Sequence, residues 1–127
     1  MLEHGGGVII NTASTAGLHG GAAGAAYTVA KHRLVGLTRQ HGMDVCQAGH
    51  SLQCHLPRRF TMTHIGESMP EDRLDPTGAA RAAEFAALAP VYLQPDDIAA
   101  LALFLASDES RHINGAIIPA DGGWDAV

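Results

Sequence analysis

The run "GVIINT", Gly7 to Thr12, leaves the chain few choices. It is short and β-branched, sits behind three glycines, and empties into the loop "ASTAGLHGGAAG". Such a run suits a buried parallel strand that opens at its carboxyl end into a loop. From Ala25 onward apolar residues fall at Ala26, Val29, Ala30, Leu34 and Leu37, which predicts a helix to about Arg39 or a turn beyond. Strand, loop and helix in that order open a parallel α/β layer.

Residues 40 to 64, "QHGMDVCQAGHSLQCHLPRRFTMTH", follow neither a helical nor a strand period and hold four of the eight histidines and both cysteines; a weak strand near Leu52 to Leu56 is the best fit. A polar loop with Pro70 and Pro76 follows, then an alanine-rich helix at about Gly78 to Leu88 and a second from Pro95 or Asp96 to Ala106. Asp96 and Asp97 stand at the amino end of that last helix, where carboxylates favour the dipole. A strand at about Ala116 to Pro119 and a glycine turn close the sequence. The order β-α-(β)-α-α-β argues for a parallel sheet with right-handed crossovers. A parallel sheet of three strands needs helices on both faces and more strands beside it, so the 127 residues read as part of a larger layer, without internal repeats or linkers.

Charge narrows the partners. Eight basic and thirteen acidic side chains give a net charge of −5 with no run of Lys or Arg, which disfavours nucleic acid and anionic membrane surfaces. The opening "MLEHGGGVII" has no positive leader, and the longest later apolar run, Ile98 to Ala106, is too short to span a bilayer; a soluble, cytoplasmic protein is expected. Two cysteines, Cys46 and Cys54, are too few for a disulfide framework.

Tyr27 and Lys31 stand four apart on the first predicted helix, so their side chains share one face. An ammonium held near a phenol favours phenolate and suits the phenol to proton exchange. Ser14 follows the strand, where α/β sheets present ligand-binding groups, and its hydroxyl can hold a substrate oxygen opposite the tyrosine. A Tyr-x-x-x-Lys pair alone is ordinarily an amphipathic stem lying over a phenol. Context carries the inference. Asn114, Gly115, Asp121, Gly122 and Gly123 are expected to form turns around the last strand, and His19 and His32 to be solvated loop and helix positions outside the site. "GLHGGAAG" imitates a phosphate loop but is not G-x-G-x-x-G.

"NTAS" ending a strand, Tyr-x-x-x-Lys thirteen residues after its serine, "GLTR", and a terminal "NGAIIPADGG" resemble the carboxyl-terminal half of the short-chain dehydrogenase/reductase family, over residues 5 to 39 and 65 to 127. The resemblance implies a partial Rossmann-like, doubly wound parallel sheet consisting of the last three strands and their flanking helices, in one partial domain over residues 1–127. It implies Ser14, Tyr27 and Lys31 as catalytic residues: the tyrosine as proton relay, the lysine as its activator and as a ligand of the nicotinamide ribose, and the serine orienting the substrate oxygen. Tyr27 and Lys31 are thereby the cofactor-binding residues, for NAD or NADP. The substrate would be a small alcohol or carbonyl compound, and a homo-oligomer is an expected partner. By the same resemblance Met1 falls where the family finishes the helix before its fifth strand. The first four strands, the phosphate loop and a further catalytic asparagine would then be missing, leaving an isolated chain with little or no activity. An interaction fragment that pairs with an intact relative and a non-functional product are the alternatives.

The irregular stretch invites a specific account. Read one nucleotide later, plausible codons for residues 43 to 59 spell W-M-Y-A-K-x-G-I-R-C-N-A-I-x-P-G-G, the passage the family usually carries there. A frameshifted segment at about residues 40–62 is therefore expected. It also accounts for Cys46, His50, Cys54 and His55, whose spacing matches no familiar zinc pattern, so no metal site is expected.

Overall fold

The computed structural model describes residues 1–4, 6–45, 50–57, 75–88 and 93–126, with only the backbone over 50–57. Strand β1 spans Gly7–Thr12. A buried 3-10 turn at Thr15–Gly17 leads to helix α1, Ala25–Val45. Strand β2 is His50–Pro57, helices α2 and α3 are Pro76–Ala87 and Pro95–Ala106, and strand β3 is Ile117–Ala120. The protein is α/β, with a three-stranded sheet in the order β1-β2-β3. Both pairings are parallel: Gly7 to Thr12 of β1 run beside His50 to His55, and Cys54 to Pro57 run beside Ile117 to Ala120.

Two elements exceed their sequence expectation. Helix α1 continues through Val45, six residues past Arg39 and into the stretch that showed no period. The weak strand at Leu52 to Leu56 is an eight-residue strand that pairs on both sides. Within it Leu52, Cys54 and Leu56 alternate with Ser51, Gln53 and His55, the two-residue period of a strand, and a strand between two partners satisfies its backbone on both edges. Cys46 and residues 58–74 lie outside the described residues, as do the side chains of His50, Cys54 and His55, so the metal reading falls outside them too.

The helix faces also differ from expectation. The buried row of α1 is Val35 and Thr38, with Gly42 one turn on and Leu34 beside it, whereas Val29 is 59% and Leu37 45% exposed. Ala13 and Val35 form the core, with Leu18, Leu34 and Ile117 packed around them. Thr38 is fully buried because its hydroxyl is satisfied twice: it donates to the Leu34 carbonyl at 2.8 Å and accepts from the Asn11 amide at 3.0 Å. That pair ties α1 to β1. At the far end of α1, a Cβ on Gly42 would collide with the backbone of Gly115, so two glycines let the helix touch the turn before β3. Gly115 takes φ +63°, a left-handed conformation that glycine reaches without steric cost.

The helix starts follow from their caps. Asp75 accepts from the Gly78 N–H at 2.6 Å with Pro76 in the first turn, and the Asp97 carboxylate accepts from the Gln94 N–H at 2.8 Å. Among the described residues no helix is long and apolar enough to cross a membrane.

Candidate active site

β1 ends at Thr12 and the chain enters a buried turn, with Ala13, Ser14, Thr15 and Ala16 all under one tenth exposed. Ser14 is extended, and its Oγ accepts from the Ala16 N–H at 3.2 Å, which caps the 3-10 turn. A hydroxyl used in this way as an acceptor keeps its own proton for donation. The turn is pressed onto α1 at Gly17, where an added Cβ would stand 2.9 Å from the Lys31 carbonyl and 3.0 Å from Val35 Cγ2. The serine loop and the lysine turn of the helix are therefore held together by backbone.

Lys31 bridges the remaining parts. Its Nζ donates to the Thr12 carbonyl at the carboxyl end of β1, 2.9 Å away, and lies 5.4 Å from the centroid of the Tyr27 ring. Among the described residues one of its three ammonium protons is used, on the strand, leaving two for a ligand. Tyr27 is half exposed. Among the described residues no hydrogen bond joins Ser14 to Tyr27. Lysine and tyrosine are brought together directly, and the serine is fixed beside the same strand end.

The turns expected around the last strand are present. Asp121 is buried and its carboxylate accepts from the Gly123 N–H at 2.9 Å and the Asp125 N–H at 2.8 Å, while Gly122 and Gly123 take φ +69° and +90°. His32 is exposed, with Nδ1 against the Thr28 carbonyl of its own helix at 2.9 Å. His19 departs from expectation: its Nε2 contacts the Asp125 carboxylate, and its ring meets Trp124 edge-on at 5.5 Å. No local pattern signals that pairing, since the partners are 106 positions apart. His19, Gly20, Phe85, Leu88 and Trp124 line a cleft of about 300 Å³.

A family model described as enoyl-(acyl carrier protein) reductase matches residues 1–125. The chain belongs to the short-chain dehydrogenase/reductase family. It is 42% identical over 129 residues to 3beta-hydroxysteroid dehydrogenase 2 of Eggerthella lenta, covering 99% of this chain and 48% of that protein. To levodione reductase of Leifsonia aquatica it is 35% identical over 130 residues, covering 100% of this chain and 48% of that protein. Among solved structures, a Beutenbergia cavernae protein described as an NAD(P)-dependent gluconate 5-dehydrogenase, with NADP bound at low occupancy, superposes with a TM-score of 0.81 at 33% identity, over 100% of this chain and 49% of that one. The chain spans about half the length of the curated short-chain dehydrogenases it matches.

Proposed function

We propose that these 127 residues are the carboxyl-terminal half of an NAD(P)-dependent short-chain oxidoreductase and carry its proton-transfer residues, Ser14, Tyr27 and Lys31. In this reading β1, β2 and β3 are the last three strands of a doubly wound sheet. The observation that carries it is the Lys31 ammonium, anchored on the Thr12 carbonyl at the strand end and beside the Tyr27 ring, at the sheet edge where α/β folds bind ligands. Its two unused protons suit the ribose hydroxyls of a nicotinamide nucleotide. A bound nicotinamide would supply or take the hydride. Ser14 Oγ–H holds the substrate oxygen, Tyr27 gives that oxygen its proton during reduction and takes it back during oxidation, and Lys31 holds the phenol in place. The substrate is a small alcohol or carbonyl compound.

The 127 residues contain no G-x-G-x-x-G turn, so the pyrophosphate cradle has to come from outside them. The chain alone is therefore inactive in this reading. Joining it to the part of levodione reductase that it does not cover tests the assignment. The hybrid is expected to oxidise NADH or NADPH with a cyclic ketone, and Tyr27→Phe to lower kcat by about 100-fold or more, the usual contribution of a positioned acid. A hybrid that keeps its rate after Tyr27→Phe, or that binds the dinucleotide and never turns over, contradicts it.

A second reading is favoured by one surface. Ala26, Val29, Ala30 and Leu37 are exposed and fall on one side of α1, opposite the buried row. An unburied apolar stripe of this kind suits pairing with a second copy or with an intact relative. Size-exclusion chromatography of the chain, alone and mixed with such a relative, distinguishes the two.

A further inference from the structure

We propose that His19, oriented by Asp125, determines specificity: its Nδ1 accepts a hydrogen bond from a hydroxyl on an apolar, ring-bearing ligand seated between Phe85, Leu88 and Trp124. The inference deepens the oxidoreductase reading and rests on it. An ionised carboxylate can only accept, so Nε2 donates in this contact, and in the neutral imidazole Nδ1 is then the acceptor. Among the described residues Nδ1 has no partner. Trp124 fixes the plane of the ring, with the two rings 85° apart, and is itself held by a 2.7 Å hydrogen bond from its Nε1 to the Phe85 carbonyl.

The surroundings decide what that acceptor meets. Phe85 and Trp124 lie 6.3 Å apart as an edge-on aromatic pair, and with Leu88 they make the described lining of the cleft predominantly apolar around the His19 imidazole. Its volume of about 300 Å³ is that of a small-molecule site. An acceptor in an apolar cleft discriminates strongly, because a ligand without a donor leaves it unpaired. The position also fits: His19 belongs to the loop between Ser14 and Tyr27, and Gly21 of that loop abuts Phe85, where a Cβ would stand 2.8 Å from Cε2. A ligand reaching from this cleft toward the strand end would present its remainder to the reacting side chains.

Trp124 is the one tryptophan of the chain, so binding reports itself by fluorescence. The 127-residue chain is titrated with 4-tert-butylcyclohexanol and with its methyl ether, which has no donor. The alcohol is expected to bind about fivefold more tightly, the worth of one hydrogen bond. His19→Phe should bring the two affinities together, His19→Gln, which retains an acceptor, should keep the preference, and Asp125→Ala should narrow it. Equal affinities in the unaltered chain, no Trp124 response to either compound, or a preference that survives His19→Phe overturns the assignment. A preference lost in Tyr27→Phe but kept in His19→Phe would assign the hydroxyl to the proton-transfer residues instead. The cleft can thus fail while the hybrid enzyme's dependence on Tyr27 stands, and the reverse.

Discussion

At the scale of single residues the site is a problem of distance, and Gly17 solves it. With nothing beyond hydrogen on its Cα, the serine turn rests directly on the Lys31 carbonyl. Gly17→Ala is expected to cost about 1–3 kcal/mol as an overpacked contact and to draw the turn away from the lysine. Urea unfolding checks the first effect, and the loss of rate in the hybrid enzyme checks the second. Asp121 offers a parallel test. Removing its carboxylate in Asp121→Ala leaves the Gly123 and Asp125 N–H groups without their acceptor, for a cost of about 1–3 kcal/mol, and should loosen the His19 contact. The nearness of Tyr27 and Lys31 was legible in the sequence because they stand four apart on one helix, where spacing decides which face each occupies, whereas Ser14 was singled out by the family resemblance. His19 was not. Its contact with Asp125 depends on the chain's far end folding back onto the loop, and no local pattern encodes that closure.

At the scale of elements, α1 carries two apolar faces, and periodicity cannot say which one is buried. The expected stripe, Ala26 to Leu37, is largely the exposed face, while the helix packs inward through Val35, Thr38 and Gly42. Small and hydroxylated residues mark the buried side because backbone approaches backbone there, as at Gly42 and Gly115. Gly42→Ala should therefore destabilise the chain by about 1–3 kcal/mol although alanine is the better helix former, which thermal melting would detect. At the start of α2, Asp75→Ala removes the acceptor for the Gly78 N–H and should cost about 1 kcal/mol. Strand β2 was the least legible element. Its alternation of Leu52, Cys54 and Leu56 with polar neighbours is confined to a few residues inside a longer stretch without a period, and its full length and its pairing to β1 and β3 come from the sheet that receives it. We propose that residues 40–62 are frameshifted text, and the nucleotide sequence decides this. Codons that cannot spell the family passage in the shifted frame refute it.

At the scale of the molecule, the sheet and helices present surfaces suited to being covered. Ile9 on β1 is 40% exposed, and Leu103 and Phe104 on α3 are 75% and 39% exposed. Large apolar side chains left in water on several elements are characteristic of surfaces that meet a partner. Purified alone, the 127-residue chain is expected to show no turnover of NADH or NADPH, and a rate abolished by Tyr27→Phe would contradict the need for a separate dinucleotide cradle. The α/β class was legible from the order of elements, while the third dimension of the sheet had to come from strand pairing. In the proposed mechanism Tyr27 and Lys31 act as one proton-transfer unit at the end of β1. A double-mutant cycle on kcat at saturating dinucleotide, with Tyr27→Phe and Lys31→Met in the hybrid enzyme, tests it most directly. Residues that work as a unit lose no more together than the worse one loses alone, and that is the predicted result. Losses that multiply, each mutation costing the same factor with or without the other, would contradict it.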